Sequence, residues 1–353
     1  MTPSRPSSVV VALSGGVDSS LAAALLKDQG WAVMGVHFLL PGTERARERK
    51  LETAARAAYH LGIPFQVLDL RERFEQHVIV PFVRAYLEGR TPNPCVVCNP
   101  EVKLDSLVDL ADAEGMAFVA TGHYARVKPI GHGKVALFRG KDRAKEQSYF
   151  LHRLERRHLQ RLVFPLGEWT KEEAKTAART RGLPSRAEPE SQEICFLSGG
   201  DYRSFLRSRV GEGIESPGDI VDRNGRKLGT HKGTHRYTIG QRRGLGLASH
   251  CPYYVLALHP RLNQVVVGHK EDLLRSDVEA VDVVWVAGQP TDERGRAEAQ
   301  IRYRHTAAGG ILEFLAPDRV RFEFEHAQPA VTPGQALVLY QGQRVLGGGW
   351  IVS

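Results

Sequence analysis

Short apolar runs alternate with amphipathic segments through the first half of the chain. Four runs have the length and apolar content of buried strands, and they are Val9–Leu13, Ala32–Phe38, Phe65–Leu70 and Ala117–Thr121. Helical patterns occupy the segments Ser19–Asp28, Glu44–Leu61, Phe74–Glu88 and Lys103–Glu114. This order predicts a parallel sheet with helices on both faces. A ligand should bind beyond the carboxyl ends of these strands, near Leu13, Phe38 and Gly122.

The pattern changes in the second half. Lys171–Arg181 has the pattern of a helix that Gly182 brings to an end. A turn sequence at Asp222–Gly225, between two apolar segments, predicts a β-hairpin. Strict alternation over Val320–Glu325 is typical of a strand and, with the strands around it, predicts a small β-barrel. We therefore predict an α/β chain of three domains: an N-terminal α/β domain over residues 1–203, a small central domain over 204–275 and a C-terminal β-barrel over 276–353.

The composition is that of a globular protein with a modest basic excess. The chain has 353 residues, a net charge of +8 at pH 7 and 42% hydrophobic residues. No run of about 18 apolar residues occurs and no secretory signal is visible, so we expect a cytoplasmic protein without a membrane segment. Four cysteines, two of them in one Cys-x-x-Cys, do not describe a secreted disulfide framework. The basic excess permits a polyanionic partner such as RNA without requiring one.

A glycine-rich turn between the first strand and the first helix is the most informative segment. Residues Ser14–Ser19 read Ser-Gly-Gly-Val-Asp-Ser. Backbone N–H groups and the helix dipole at such a turn favour an anion, and Asp18 with the hydroxyls suits a magnesium ion. The spacing fits neither a Walker A loop nor the dinucleotide pattern. It resembles the pyrophosphate loop of ATP pyrophosphatases with the adenine-nucleotide alpha-hydrolase fold. That resemblance implies ATP and Mg²⁺ as cofactors, with the nucleotide bound by Leu13, Ser14, Gly15, Gly16, Val17, Asp18, Ser19 and Ser20.

Three cysteines lie in segments suited to chemistry. Cys95 and Cys98 follow two prolines, which predict an extended loop ahead of the next helix. Cys98 lies near the expected start of that helix, where the helix dipole lowers a thiol pKa. Cys195 lies in the irregular segment Ser185–Gly200, and a mobile loop suits a residue that carries a group inward. Cys251 is expected to be a small buried hydrophobe.

Further motifs occur in order along nearly the whole chain. They are Gly89–Pro94, Cys98–Asn99, Ala120–Tyr124, Gln147–Phe150, Ile194–Phe196, Ile239–Gly246, Arg302–Arg304, Val331–Gln335 and Leu346–Gly349. Together with the glycine-rich turn, they resemble the tRNA-specific 2-thiouridylases. The resemblance implies that sulfur replaces the C2 oxygen of a tRNA wobble uridine after ATP has adenylated that oxygen. It also implies tRNA as a partner, and a sulfur-relay protein or a cysteine desulfurase as the persulfide donor. By the same resemblance, residues 1–203 form the ATP-binding catalytic domain, and residues 204–275 form a domain that binds tRNA or serves as a linker.

The resemblance carries roles over to individual positions. The cysteine that matches Cys195 holds the persulfide, and the cysteine that matches Cys98 releases the sulfur and leaves a disulfide between the two. Gly122 is implied to approach the nucleotide. Spacing makes Phe38 a candidate for contact with adenine, with core packing as an equal alternative. The positions implied to contact tRNA are Asn93, Pro94, Cys95, His123, Lys145, Glu146, Gln147, Arg302, Tyr303 and Gln335.

Cys95 departs from the family pattern, in which many members have aspartate at this position. A thiol can replace that carboxylate's charge only as a thiolate. As an alternative, Cys95, Cys98 and Cys195 could bind a four-iron cluster with one open iron, and Cys95 and Cys98 could form a local disulfide. Zinc lacks an evident fourth ligand near the pair. The persulfide route is the interpretation that we prefer over the iron–sulfur cluster.

Two other functional classes are compatible with part of the pattern. Another ATP pyrophosphatase, such as an amide-forming ligase or a tRNA lysidine-forming enzyme, would need no paired thiols. An RNA-binding protein without chemistry would use the basic surface and the barrel, and it would consume no ATP when given tRNA. The paired thiols favour thiolation over both.

Overall fold

The N-terminal domain is built on a five-stranded parallel sheet. The computed structural model describes residues 7–184, 194–197, 201–286, 288–289 and 294–352. The strands are β1 (Ser8–Ala12), β2 (Ala32–Leu39), β3 (Phe65–Asp69), β4 (Phe118–Ala120) and β7 (Leu162–Val163). Their order is β3-β2-β1-β4-β7, and every neighbouring pair is parallel. The predicted parallel sheet is therefore confirmed, and β7 adds an edge strand.

Helices pack on both faces of this sheet. They are α1 (Val17–Asp28), α2 (Glu44–Leu61), α3 (Arg71–Phe74), α4 (Val80–Leu87), α5 (Pro94–Val97), α6 (Asp105–Ala113), α7 (Arg156–Leu159) and α8 (Lys171–Thr180). Two π-helical turns, Glu75–Ile79 and Cys98–Leu104, join α3 to α4 and α5 to α6. Val9 and Val11 face α1 and α8, whereas Val10 faces α6. This alternation along β1 buries both faces of the central strand.

The prediction of an extended loop around Pro92 and Pro94 is wrong from Pro94 onward. Helix α5 begins at Pro94, with Asn93 as the residue before it. Proline is well tolerated at a first helical position because its missing N–H would have no partner there and its φ angle is already helical. The helical segment therefore starts nine residues earlier than the predicted Lys103, and it carries both Cys95 and Cys98.

A hairpin that the sequence analysis missed links the N-terminal domain to the C-terminal barrel. Strands β5 (Ala125–Gly131) and β6 (Lys134–Arg139) are antiparallel, and β6 also pairs with a barrel strand at Phe138 and Arg344. The Gly-His-Gly turn between them was a usable signal in the sequence. The two domains thus share one eight-stranded sheet.

The central unit begins with helix α9 (Tyr202–Val210) and contains a four-stranded sheet. Its strands are β8 (Gly218–Val221), β9 (Lys227–His231), β10 (Tyr254–His259) and β11 (Gln264–Gly268). The predicted hairpin is confirmed, because β8 and β9 pair antiparallel around the Asp222–Gly225 turn. Cys251 in this unit is exposed, so its expected burial is wrong. It lies on a loop outside the strands that form the small core.

Six strands close the C-terminal barrel. They are β12 (Leu274–Trp285), β13 (Arg294–Gln300), β14 (Ala308–Ala316), β15 (Arg319–Pro329), β16 (Ala336–Gln341) and β17 (Arg344–Ile351). Pairing of β12 with both β15 and β17 completes the circle. Exposed and buried residues alternate along the first six residues of β15, as predicted. Within the described part of the chain, no helix has the length and apolar character needed to cross a membrane.

The barrel is held against the N-terminal domain beside the proline-containing segment. The Thr91 amide donates to the carbonyl of Pro333 at 3.0 Å, and the Gln335 side-chain amide donates to the carbonyl of Thr91 at 2.8 Å. The buried Tyr149 hydroxyl donates to the carbonyl of Ala336 at 3.0 Å. These contacts fix the barrel next to the residues that lead into Cys95 and Cys98.

Candidate active site at the carboxyl end of the parallel sheet

The glycine-rich turn leaves β1 and enters α1 in a conformation held by its own hydroxyl groups. The Ser14 amide donates to Ser19 Oγ at 3.1 Å, and Ser19 Oγ donates to the Gly16 carbonyl at 3.0 Å. Gly15 has a φ of +78°, and a Cβ there would lie 2.8 Å from the Lys50 carbonyl, so only glycine suits the position. Leu13 is 1% exposed, so its contribution to a ligand is limited to backbone. The N-terminus of α1 faces the crevice with the geometry of a phosphate site.

Asp18 has a partner that the sequence analysis did not anticipate. Lys171, the first residue of α8, donates from Nζ to Oδ1 and Oδ2 of Asp18 at 2.8 and 2.7 Å. The Tyr124 hydroxyl donates to Oδ1 at 2.8 Å. The Lys171 side chain is only 9% exposed, which makes this a largely desolvated ion pair. The sequence signal for this ion pair is a lysine at a helix start, where the helix dipole disfavours a cation unless a carboxylate lies nearby.

The residues of this turn fit a magnesium ion that is bound mainly through a nucleotide. Mg²⁺ in nucleotide sites is usually held by one or two carboxylates together with phosphate oxygens. Asp18 is the carboxylate beside the turn, and Ser14 Oγ and Ser19 Oγ lie 3.1 Å apart next to it. Lys171, which the sequence prediction did not include, lies beside these groups.

Gly122 follows β4 and packs directly against the start of α1. A Cβ at this position would lie 2.8 Å from both the carbonyl carbon of Asp18 and the amide nitrogen of Ser19. The close approach of Gly122 is therefore to the backbone of the glycine-rich turn Ser14–Ser19, called the phosphate turn below. Phe38, at the end of β2, is partly buried and packs against two apolar clusters. The alternative of core packing accounts for the contacts of Phe38 in this structure.

We expect Gly122→Ala to weaken nucleotide binding, because the added methyl group must push the backbone at Asp18 out of place. The strain should lower the free energy of unfolding by about 1–3 kcal/mol and raise the KM for ATP. Thermal unfolding and ATP titration measure the two effects. Gly213→Ala is the matched control, because a Cβ at Gly213 meets nothing within 4 Å. Equal behaviour of the two variants would contradict the packing argument.

Cys98 opens the π-helical turn and is buried among apolar side chains. It is 4% exposed and lies in a cluster with Phe74 and Phe82. Burial raises the pKa of Cys98 to about 12, and the nearby Lys103 ammonium opposes that rise. The expected lowering of this pKa by a helix dipole is therefore wrong. The helix starts at Pro94, so Cys98 lies beyond the first turn, where the dipole has faded and desolvation dominates.

Cys195 is exposed, and its neighbour Phe196 anchors it beside Cys98. Phe196 is 5% exposed and packs edge-on against Phe74 and Phe82, in the cluster that contains Cys98. Electrostatic repulsion from Cys195 contributes to the raised pKa of Cys98. The fold therefore brings the two predicted catalytic thiols into one neighbourhood. Most of the predicted loop Ser185–Gly200 lies outside the described residues.

Lys103 is the cation that acts on this group of thiols. It follows Cys98 by five residues, and the i to i+5 geometry of a π-helical turn stacks such positions. Lys103 Nζ donates to Asn99 Oδ1 at 3.2 Å, and the thiols, Cys98 above all, raise the pKa of Lys103. Burial, with repulsion from Lys103, lowers the pKa of His123 to about 3. His123 is therefore neutral at physiological pH, and its Nδ1 lies 2.7 Å from Thr121 Oγ1.

The three cysteines do not form a ready-made metal site. Across the residues that the structure describes, no group of three or more His, Cys, Asp or Glu side chains has a metal-binding arrangement. Cys95, Cys98 and Cys195 are all free thiols. The iron–sulfur alternative and the local Cys95–Cys98 disulfide thus receive no support from the geometry.

Several segments predicted to contact tRNA meet at the seam between the N-terminal domain and the barrel. The Tyr303 ring lies 4.3 Å from the ring of Phe150, and Asn99 Nδ2 donates to the Phe150 carbonyl at 3.3 Å. Arg302 donates from Nη1 to the Pro329 carbonyl at 3.0 Å. The Gln335 contact with Thr91 connects the barrel to the turn before Asn93, Pro94 and Cys95. The predicted contacts from both domains thus lie along this seam, next to the segment that carries Cys95 and Cys98.

Glu146 faces the interior. It is 8% exposed, its Oε1 lies 3.4 Å from Arg139 Nη1, and its Oε2 accepts from both the amide and the hydroxyl of Ser148. Its side chain is therefore engaged within the protein, and the tRNA contact of the segment Lys145, Glu146 and Gln147 stays a prediction. Gln147 is itself tied to Tyr124, whose amide donates to Gln147 Oε1 at 3.0 Å.

A buried polar chain connects Glu146 to the barrel. Arg139 stacks 3.5 Å above the ring of Tyr340, and the Tyr340 hydroxyl donates to Gln300 Oε1 at 3.1 Å. Gln300 Nε2 in turn donates to the carbonyls of Arg302 and Tyr303 at 3.1 and 2.7 Å. The chain couples the segment around Gln147 to the segment around Arg302, although they belong to different domains.

Comparison with known families matches the whole architecture. The family model described as tRNA methyl transferase HUP domain matches residues 7–199. The tRNA methyl transferase PRC-barrel domain matches residues 203–269, and the Aminomethyltransferase beta-barrel domain matches residues 275–351.

Curated relatives cover nearly the full length of the chain. The tRNA-specific 2-thiouridylase MnmA of Desulforudis audaxviator is 48% identical over 344 residues, which cover 97% of this chain and 98% of that protein. The protein of the same name from Carboxydothermus hydrogenoformans is 47% identical over 354 residues and covers 97% of each chain. Identity at this level extends over all three structural units.

Proposed function

The chain belongs to the family of tRNA-specific 2-thiouridylases, and on that premise we propose that it exchanges the C2 oxygen of the tRNA wobble uridine for sulfur at the cost of one ATP. The observation that carries the proposal is the position of Cys98 and Cys195. Cys98 and Phe196, the neighbour of Cys195, pack in one cluster with Phe38 and Leu68, which lie near the carboxyl ends of β2 and β3. The glycine-rich turn Ser14–Ser19 follows the carboxyl end of the adjacent strand β1. An enzyme that only ligates or binds RNA has no use for two thiols beside a nucleotide.

The phosphate turn and its two charged neighbours support ATP binding. Backbone N–H groups at the start of α1 suit the phosphates. Lys171 and Asp18 both lie at this turn, so the Lys171 ammonium can leave Asp18 and bind a phosphate oxygen. Mg²⁺ held by Asp18 and the phosphates would neutralise charge on the nucleotide. The uridine O2 attacks the α-phosphorus, pyrophosphate leaves, and the C2 oxygen becomes part of an AMP leaving group.

Sulfur transfer then uses both cysteines. The terminal sulfur of a Cys195 persulfide attacks C2, and AMP departs with the original oxygen. The Cys98 thiol attacks the Cys195 sulfur and gives up its proton, the S–S bond to the transferred sulfur breaks, and the departing sulfur-bearing base takes up a proton to leave as 2-thiouridine. Cys98 and Cys195 end as a disulfide that an external thiol reduces. The exposure of Cys195 suits loading by a sulfur-relay protein or a cysteine desulfurase.

Neighbouring residues support this sequence of steps by position and charge. Lys103 stabilises a thiolate at Cys98, and its pKa is itself raised by that thiol. His123 is neutral, which suits a hydrogen bond to a base better than a contact with phosphate. Asn93, Pro94 and Cys95 lie on the helix start that carries Cys98, where a base that has left the anticodon stack would arrive.

In vitro thiolation tests the proposal. Purified protein, a tRNA transcript, ATP, Mg²⁺ and a persulfide donor should yield 2-thiouridine, detected as retarded tRNA on an organomercury gel. AMP and pyrophosphate should form only when tRNA is present. Release of AMP without thiouridine would favour a different ATP pyrophosphatase, and the absence of any ATP cleavage would favour an RNA-binding protein.

We expect Cys95→Asp to retain thiolation, because it introduces the residue that many relatives carry and removes no step of the persulfide route. Burial raises the pKa of Cys95, so the native side chain is an uncharged thiol at neutral pH and no resident charge is lost. Thiolation rate and iron content, measured after anaerobic purification, are the readouts. Loss of activity together with loss of near-stoichiometric iron would establish the cluster route instead.

A further inference from the structure

An exposed loop of the central unit carries two adjacent arginines that have no acidic partner among the residues that the structure describes. This arginine loop comprises Gln241–Gly246, and both Arg242 and Arg243 are exposed. Within the described ranges, neither guanidinium forms an ion pair or a side-chain hydrogen bond. The mechanism in the preceding subsection does not use the loop, although it belongs to one of the motifs that mark the family resemblance.

Seven other cations of the central unit form ion pairs. The pairs are Arg203–Asp201, Arg207–Glu212, Arg209–Glu75, Arg223–Asp272, Arg226–Asp222, Lys227–Asp219 and Arg236–Glu215. Among the cations without one in the described residues, Arg242 and Arg243 are adjacent, whereas Lys232, Arg261 and Lys270 stand singly. Arg242 and Arg243 therefore concentrate two uncompensated charges at one point of the surface. Such a site attracts a polyanion because each contact releases counterions from it.

The backbone of the arginine loop has a fixed shape. Gly240, Gly244 and Gly246 all have positive φ angles, between +67° and +83°. The Gln241 side chain accepts from the Thr238 amide at 3.2 Å and donates to the Arg243 carbonyl at 2.9 Å. Two backbone bonds, at 2.8 and 3.0 Å, join Gly240 and Gln241 to Val255 of β10. The arginines are thus presented from a preorganised turn.

A cleft opens on the inner side of the loop. It has a volume of about 220 Å³, and Arg242, Gly246, Ser249 and Tyr253 are among its lining residues. Tyr253 stacks on His269 with ring centroids 5.1 Å apart, which fixes one wall. The cleft has room for a phosphate and its sugar, with a guanidinium at the rim.

The loop adjoins a segment of the barrel that is hydrogen-bonded to Arg302 and continues to Gln335, two residues predicted to contact tRNA. A Cβ on Gly240 would lie 2.8 Å from the Cβ of Ala330. Ala330 follows Pro329, whose carbonyl accepts from Arg302, and the same barrel segment continues to Gln335. The short barrel segment at Pro329 and Ala330 therefore contacts the arginine loop on one side and Arg302 on the other.

We propose that Arg242 and Arg243 bind backbone phosphates of the tRNA and anchor it on the central unit, beyond the residues that hold the target base. This inference rests on the proposed function, since it assumes that tRNA binds along the seam between the N-terminal domain and the barrel. Phosphate contacts position an RNA without reading its sequence. The anchor should therefore affect all substrate tRNAs alike.

The test is the salt dependence of tRNA binding by the full-length protein. For Arg242→Gln/Arg243→Gln, we expect affinity for a tRNA transcript to fall about tenfold. The slope of log affinity against log salt should become shallower by about two, since each lost phosphate contact removes roughly one. In thiolation assays, the loss should fall on the KM for tRNA.

The matched control is Arg223→Gln/Arg226→Gln. It removes the same number of charges from the same unit, at exposed arginines that pair with Asp272 and Asp222. This control should keep the wild-type affinity and slope. A wild-type salt slope in the Arg242/Arg243 variant would overturn the inference, as would an equal loss in the control. Absence of thiouridine from the wild-type protein would instead defeat the proposed function, and the binding result would stand apart from it.

Discussion

Replacement of Cys98 by serine should abolish thiolation and still allow tRNA-dependent release of pyrophosphate. Cys98 acts after adenylation in the proposed sequence, so its loss leaves the first step intact. A hydroxyl in this apolar cluster cannot attack a persulfide at a useful rate, because it is a far weaker nucleophile than a thiolate. The rate of thiouridine formation should fall by about a thousandfold or more.

Cys195→Ser should have the same effect on the product for a different reason. This variant cannot hold the persulfide, whereas Cys98→Ser can. Incubation with a radiolabelled persulfide donor, followed by mass spectrometry, should therefore find the extra sulfur on Cys195 of the Cys98→Ser protein and none on the Cys195→Ser protein. Pyrophosphate release is the internal control, because it shows that each variant folds and binds ATP and tRNA.

Two results would contradict these assignments. Thiolation by Cys98→Ser at a rate near that of wild type would remove Cys98 from the chemistry. Failure of both variants to release pyrophosphate, with normal thermal unfolding, would mean that the thiols act before or during adenylation.

Replacement of Lys171 by methionine should stop the reaction one step earlier. The Lys171 ammonium holds both oxygens of Asp18, and its side chain is only 9% exposed. The substitution leaves a half-buried carboxylate without its counter-charge and removes a cation that lies beside the phosphate turn. We expect tRNA-dependent pyrophosphate formation to fall about a hundredfold or more, because a preorganised charge at a transferring phosphate has an effect of this size.

Lys175→Met is the matched control for this second prediction. Lys175 lies one turn further along α8 and pairs with Glu172 on the exposed face. Its substitution should leave ATP cleavage unchanged. Loading of a persulfide on Cys195 should be normal in the Lys171→Met protein, which separates a defect in ATP chemistry from general unfolding. An unchanged rate and an unchanged KM for ATP would show that Lys171 serves only the fold.

Local patterns in the chain predicted what depends on neighbouring residues. Short apolar runs identified four of the five strands of the first sheet, because strands buried on both faces are apolar throughout. Strict alternation identified β15, because side-chain direction repeats every two residues along a strand. The Asp222–Gly225 turn located its hairpin because turn geometry is encoded within four residues. The glycine-rich turn and the cysteine motifs identified the family for the same reason.

Only the tertiary structure decided which distant residues act together. Lys171 meets Asp18 from a helix 153 residues away, and the β5–β6 hairpin joins a barrel strand that lies near the end of the chain. Glu146 is buried against Arg139 although its motif placed it in a tRNA-contacting segment. The pKa of Cys98 rises because packing removes solvent from a thiol that the helix dipole had been expected to activate. Desolvation and long-range pairing are properties of the packed chain, so no local pattern specifies them.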